Sequence, residues 1–452
     1  MSGAPTATPR RGSRTWWSGV LPLPTVRAAA VLVALVPLVW VAPVTVPFWA
    51  PVLAVAALVT ADAWLAPTPW HLVVDRELPP IVSLGSDAEV VWSVRNPTGR
   101  RAAVAVADAL PPSLGAARRR FALTVPAGSR RQVTATLAPS RRGTFRPATL
   151  TVRVTGPLGL GRRQADRAVP GRVEVHPSFR SRAAAELRVR RNRVLEEGLR
   201  AIRARGGGTQ FDALREYVEG DDVRRVDWAA TARAGHPVVR TYRAERNQQV
   251  LALLDAGRLS AGLVEGVPRL DHAMDAVLAL ATIAMRSGDR TGLVVFGTAV
   301  HATVPARNDQ GQLRRLSTAM HAVEPELAES DYREAFRTAL GRFRRQATLV
   351  LFTELGAEAV QESLVPALPL LVRDHAVIVA SVRDPAVEHA RDRVPDRPAD
   401  VYRSAAAVTV LRERDRAAQQ LRALGVQVVD ALPGELAGRV GDAYLETKAR
   451  GR

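Results

Sequence analysis

The sequence contains no cysteine. That removes disulfides, thiolate metal sites and cysteine nucleophiles together. Lysine is almost absent: Lys448 is the only one, so the basic residues are nearly all arginine. Histidine is scarce, with 8 residues in 452, and His236 and His272 stand isolated without metal-ligand spacing. No Gly-x-Ser-x-Gly, His-Glu-x-x-His or paired-carboxylate motif stands out, so the common hydrolase signatures lack support. The glycine run Gly206–Gly208 has neither a preceding strand nor the Lys-Ser/Thr that a phosphate-cradling loop needs.

What is present is the composition of a globular protein, 47% hydrophobic and 24% charged. A chain of 452 residues has room for about three domains. The formal net charge of +19 invites a nucleic-acid or anionic-lipid reading. The arginines, however, are spread through every segment, from Arg118–Arg120 to Arg342–Arg345, which argues against a dedicated nucleic-acid face.

One stretch carries no charge at all. Between Ala28 and Ala61 lie about 34 residues, or ~51 Å of helix against a hydrocarbon core of ~30 Å. Pro43, Pro47 and Pro51 offer a turn in the middle, and Trp40, Trp49, Trp64 and Trp70 fall near the expected interfaces. The pattern predicts a two-helix transmembrane hairpin over residues 28–66 behind a basic N-terminus over 1–27. The run is too long for the apolar region of a signal peptide. Arg10, Arg11, Arg14 and Arg27 precede it, and Arg76, Arg95, Arg100 and Arg101 follow. The positive-inside rule then puts both flanks in the cytoplasm, with the hairpin in the inner membrane.

Residues 70–178 read as β. Ala88–Asn96, Ala102–Leu110, Arg130–Pro139 and Ala148–Gly156 are β-branched, partly alternating runs separated by glycine-containing turns, and Val173–Ser178 closes the set. Such spacing predicts an immunoglobulin-like sandwich. Residues 180–247 read as a basic, less regular connector. Residues 248–447 alternate strand and helix, with apolar strands at Gln249–Gly257, Thr291–Gly297, Ala347–Leu355, His375–Val382 and Gly425–Ala431. Helical stretches fall at Leu270–Ser287, Asp331–Gln346, Val360–Arg373 and Arg403–Leu424. Near-continuous apolar strands alternating with helices predict a doubly wound α/β domain.

In such a sheet, sites form beyond the carboxyl ends of the strands, which here carry Asp255, Glu354, Ser381 and Asp430. A hard metal would need several oxygen ligands converging there. The candidates are Asp255, Gly257, Ser330 and Glu354, with Asp331 beside them. The von Willebrand factor A fold holds magnesium with an Asp-x-Ser-x-Ser loop, a Thr and a further Asp. Here Gly257 and Leu259 stand at the two serine positions, Ser260 is one place off, Ser330 takes the place of the Thr, and Glu354 that of the last Asp. The site is a degenerate one.

The connector holds the densest motif. Phe211, Asp212, Arg215, Glu216, Tyr217, Gly220, Asp221, Asp222, Arg225, Asp227, Trp228 and Arg233 interleave acids, bases and aromatics. Arginine forks meeting carboxylates would build an ion-pair network and a rigid partner-docking element. Asp221 and Asp222, neighbours flanked by arginines, fit structure better than catalysis.

The stretch from Gly206 to Gly257, with its Arg-Glu-Tyr-x-x-Gly-Asp-Asp and Arg-x-Asp-Trp-x-x-x-Ala-Arg elements, resembles the signature of the bacterial "domain of unknown function fifty-eight" family. Arg141–Leu160 and the α/β tail follow in the family's order, so the resemblance covers most of the chain. It implies a membrane-anchored partner of a MoxR-type AAA+ ATPase, a von Willebrand factor A-like C-terminal domain, and a role in assembling or maturing envelope or other protein complexes. The expected function is therefore a non-catalytic protein-interaction adaptor. The alternatives are a metal-dependent hydrolase using the strand-end carboxylates with magnesium, and anionic-lipid or nucleic-acid binding by arginines.

Overall fold

The computed structural model describes residues 22–41, 47, 49–191, 210–218, 226–243, 248–342 and 346–450. The chain divides into two compact units, Met1–Val175 and His176–Arg452.

The first unit begins with two helices, α1 (Val26–Val41) and α2 (Ala50–Leu65), of 16 residues each. At 1.5 Å per residue each reaches only ~24 Å, short of a ~30 Å hydrocarbon core. Among the described residues no helix is long and apolar enough to cross a membrane. This overturns the transmembrane hairpin over 28–66 and the inner-membrane placement that rested on it. The local cause is visible in α2, which starts with Pro51 in its first turn and is used for packing. Asp62, 1% exposed, accepts backbone N–H bonds from Leu158 (2.7 Å), Leu160 (2.7 Å) and Gly161 (2.8 Å). A Cβ on residue 161 would lie 2.1 Å from the Val59 carbonyl oxygen, so glycine there is a condition of helix and strand meeting. Val55, Val59 and Ala63, which read as lipid-facing, are buried in this contact.

Behind the helices come strands β1 (Val73–Glu77), β2 (Ala88–Arg95), β3 (Ala102–Asp108), β4 (Arg120–Val125), β5 (Arg130–Leu137), β6 (Thr149–Thr155) and β7 (Gly161–Ala168). β7-β6-β3-β4 form an antiparallel sheet, extended at β7 by Leu23–Pro24. β1-β2-β5 form a second, and three short strands (Ile81–Ser83, Val173–His176, Gly143–Phe145) a third. Alternate residues of β3 and β6 point inward, and one core unites the sheets around Trp92, Val104, Val152 and Val154. A deep polar feature is a triad. Asp108 accepts from Trp92 Nε1 at 2.7 Å and from Arg76 Nη1 at 2.6 Å. Burial pushes the Asp108 carboxyl up, against the pull of Trp92 and Arg76.

In the second unit, residues 182–191 are helical and bury Ala185 and Val189 in the main core. The segment expected as an irregular connector contains an antiparallel ribbon of β8 (Gln210–Glu216) and β9 (Val238–Arg243), with a register shift between Phe211 and Ala213. Between them lies helix α3 (Trp228–Ala234).

The central sheet follows: β10 (Gln249–Asp255), α4 (Arg269–Arg286), β11 (Arg290–Phe296), β12 (Val300–Arg307), α5 (Gln312–Met320), α6 (Tyr332–Arg342), β13 (Ala347–Phe352), β14 (Ala376–Val382), α7 (Pro398–Ala423), β15 (Gln427–Ala431) and α8 (Pro433–Ala449). The strand order is β12-β11-β10-β13-β14-β15, parallel except for β12 at one edge. Residues of β10 alternate between two cores, Ala252 and Leu254 on one face and Leu251 and Leu253 on the other, so the sheet is covered on both sides. That explains why its strands read as unbroken apolar runs. The sole lysine closes the chain end: Lys448 Nζ lies 2.5 Å from the buried Asp289 carboxylate, which Tyr444 also bonds.

Candidate functional site

Parallel register brings the strand ends to one level: Asp255 lies opposite Phe296, Leu254 opposite Phe352, and Ser381 opposite Asp430. β10 connects to β11 through α4, and its other neighbour, β13, is reached later from β12, so the strand order reverses at β10, whose carboxyl end carries Asp255. Asp255, Gly257 and Ser330 do meet there, as their spacing suggested.

Their geometry is that of a satisfied carboxylate. Asp255 is 4% exposed. One oxygen accepts from the Gly257 N–H (2.8 Å) and Ser330 Oγ (2.5 Å). The other accepts from Tyr332 OH (2.9 Å) and Thr353 Oγ1 (2.6 Å). An ionised carboxylate offers about four lone-pair sites, and all are engaged. Burial, and next the charge of Asp255, hold the Tyr332 phenol well above its ordinary value. Gly257 is dictated by this packing: a Cβ there would fall 2.0 Å from Ser330 Oγ. The serine that a metal loop wants at this position has no room while Ser330 bonds Asp255. Ser260, one place out of register, donates to the Asp255 carbonyl oxygen at 2.7 Å. Asp331 starts α6, its carboxylate accepting the Glu334 N–H at 3.0 Å.

Glu354 stands apart in partnership, although it follows Thr353 directly. Its carboxylate takes Arg269 Nη1 at 3.2 Å and Arg414 Nη1 at 3.1 Å, with weaker bonds from Ser381 Oγ and the Val382 N–H at 3.3 Å. Arg414 reaches on to Asp430 at 2.7 Å, and Asp430 to Arg383 at 3.2 Å. Burial pushes the Glu354 carboxyl up, and Arg414 then Arg269 oppose it. Two guanidinium groups thus occupy the acceptor positions that a divalent cation would need. Among the described residues no group of three or more His, Asp or Glu side chains is placed to hold a metal ion.

The ribbon motif has a different character. Asp227 caps α3, accepting the N–H groups of Ala229 and Ala230 at 3.1 Å each. The next residue, Trp228, is left 67% exposed, as are Val218 at 57% and Leu214 at 44%. Arg233 donates to the Ala229 carbonyl oxygen of its own helix at 3.2 Å, and Glu216 lies 3.3 Å from His236. The Tyr217 N–H bonds the Pro237 carbonyl oxygen at 2.8 Å, fixing the ribbon end. Phe211, Asp212 and Arg215 lie in β8, their side chains outside the described set; Gly220, Asp221, Asp222 and Arg225 fall outside the described residues. The described acids and bases make local caps and pairs; Ala230, Val238 and Val239 are buried, while Trp228, Val218 and Leu214 face outward.

Sequence reasoning missed Tyr332, Thr353, Arg269 and Arg414. Tyr332 sits two places after Ser330 and Thr353 one before Glu354, a positional signal that strand-end reasoning could have used. Arg414 lies inside the charged run Arg412–Arg416 of α7 and looks solvated from sequence.

The comparisons follow this geometry in part. A family model described as "Protein of unknown function DUF58" matches residues 213–395. That span holds Asp255, Ser330, Tyr332 and Glu354 and stops short of Arg414 and Asp430; it is narrower than the resemblance over most of the chain that was expected. The uncharacterized proteins Mb1516 of Mycobacterium bovis and Rv1480 of Mycobacterium tuberculosis are each 35% identical over 124 residues, 26% of this chain. The chain covers 38% of the length of each. A solved CARDB domain from Pyrococcus furiosus is 17% identical over 22% of this chain and 94% of its own, with a TM-score of 0.15.

Proposed function

We propose that this protein is a protein-interaction adaptor whose docking element is the β8–α3–β9 segment. Its partner is a MoxR-type AAA+ ATPase, with which it acts in the assembly or maturation of other protein complexes; the central α/β domain, of von Willebrand factor A-like type, carries the docking element. The observation that carries the reading is the outward Trp228. Trp228, 67% exposed at the first position of a capped helix, leaves apolar surface in water that a partner would cover. Tryptophan anchors of this kind dominate interface energies.

The hydrolase alternative needs Asp255 or Glu354 as ligand or base. Both carboxylates already have their acceptor atoms engaged inside the fold, so either would have to abandon buried partners first. That weighs toward binding.

Co-purification from the native cell with a C-terminal tag, read by mass spectrometry, tests the proposal. A stoichiometric AAA+ ATPase is the expected result. A protein that emerges without one, from cells that express such an ATPase, rejects the partner assignment.

A further inference from the structure

The first unit carries a wide-mouthed surface depression of about 450 Å³ that no part of the adaptor reading uses. One wall is the end of α2 and the loop after it, with Trp64, Thr68 and His71; the other is the β2–β3 turn with Gly99 and Arg100, and Arg163 of β7 lines the base. The size is in the range of small-molecule sites.

Both walls are fixed from behind. Asn96, fully buried, holds the turn: its Nδ2 donates to the carbonyl oxygens of Arg100 (2.7 Å) and Val125 (3.2 Å), and its Oδ1 accepts from the Thr98 N–H (3.1 Å) and Oγ1 (2.6 Å). Arg167 holds the loop, donating to the carbonyl oxygens of Pro69, Trp70 and Leu72 at 3.0–3.1 Å. Arg100 ties the walls together through the Leu65 carbonyl oxygen at 3.1 Å. A depression between pre-positioned loops loses little entropy on binding.

Its electrostatics have one sign. Among the described residues, the lining includes two guanidinium groups and an imidazole, and no Asp or Glu. Arg163 packs over the Trp64 ring with its Cζ 5.6 Å from the centroid, leaving the indole 62% exposed. Partial burial lowers the pKa of the Arg163 guanidinium. Two fixed positive charges match the ~1.5–2 negative charges of a phosphate monoester at neutral pH, and guanidinium forks fit phosphate oxygens.

We propose that this depression binds a small phosphorylated molecule, its phosphate met by Arg100 and Arg163 and its apolar portion lying against Trp64. A monocarboxylate would neutralise only half of that charge and is the weaker fit.

Isothermal titration of the full chain at low salt with phenyl phosphate, inorganic phosphate and benzoate tests this. Phenyl phosphate should bind most tightly, since it alone supplies both the dianion and the ring. Arg163→Met and Arg100→Met should each weaken it by about tenfold or more, the value of one charge-assisted hydrogen bond. Should Arg163→Met fail to fold, exposed Arg100 still gives the test. Unchanged affinity in folded Arg100→Met, benzoate binding as tightly as phenyl phosphate, or no heat with phenyl phosphate at millimolar concentration would each overturn the proposal.

Discussion

The carboxyl edge of the parallel sheet and the β8–α3–β9 segment treat their side chains in opposite ways. At the sheet edge polar groups are buried and joined to one another: Asp255 to three hydroxyls and an N–H, Glu354 to two arginines. In the ribbon segment polar groups serve short-range capping, and the apolar Trp228, Val218 and Leu214 face solvent. A buried polar network is costly to open, because each group left without its partner keeps its desolvation penalty. An exposed apolar group costs nothing to the fold when it is covered. The sheet edge is therefore built to persist, while the ribbon leaves apolar surface open, and that contrast is why the ribbon is the proposed docking element.

The contrast can be broken at its strongest point first. Arg414→Leu removes the cation shared by Glu354 and Asp430, leaving the buried Glu354 with Arg269 alone and Asp430 with Arg383 alone. Urea unfolding should show a loss of ~3–5 kcal/mol; a loss below 1 kcal/mol would mean that the network is well hydrated. Next comes Gly257→Ser, which restores the hydroxyl of a metal loop but sets a Cβ 2.0 Å from Ser330 Oγ. It should destabilise by ~1–3 kcal/mol, without recovering stability when magnesium is added. Tyr332→Phe should cost ~1–3 kcal/mol by leaving Asp255 one donor short.

A pH experiment sharpens the same edge. The Tyr332 phenol is held well above its ordinary value near 10. The native state thus keeps this proton more tightly than the unfolded chain. Its stability contribution is complete below the unfolded value and is lost as pH rises from about 10 toward the folded one. Melting temperatures of the wild type should fall more steeply above pH 10 than those of Tyr332→Phe. The smallest effect belongs to the ribbon: Trp228→Ala should alter unfolding free energy by no more than ~0.5 kcal/mol, because the side chain leaves little buried contact behind.

Much of the sheet was legible because burial on both faces writes itself into composition. The runs at Gln249–Gly257, Ala347–Leu355 and His375–Val382 end within a few residues of β10, β13 and β14. Two polar strands were not legible: β12 contains Pro305 and alternating polar residues, and β7 reads Gly-Arg-Arg-Gln-Ala-Asp-Arg-Ala. The last helix, α8, was missed because its glycines at 438 and 441 suggest a loop. They are needed instead where Arg188 and Ile283 approach within 2.2–2.4 Å of the missing Cβ positions. The hairpin over 28–66 failed because apolar runs look alike whether they face lipid or a β-sheet; the clue was Asp62, whose buried carboxylate needs backbone donors that only folded chain supplies. Of the site, Asp255 came from its strand end and Ser330 from the comparison with a metal-binding loop, and the two are hydrogen-bonded. Tyr332 and Thr353 sit beside residues that were singled out, but their contacts with Asp255 span 77 and 98 residues of chain and neither residue type marks a metal loop.

The most direct measurement is a side-by-side capture of wild type and Trp228→Ala from native extracts, with thermal melts of both. The account predicts equal melting temperatures and loss of the AAA+ ATPase from the variant alone. An ATPase recovered in equal amount with folded Trp228→Ala would contradict it.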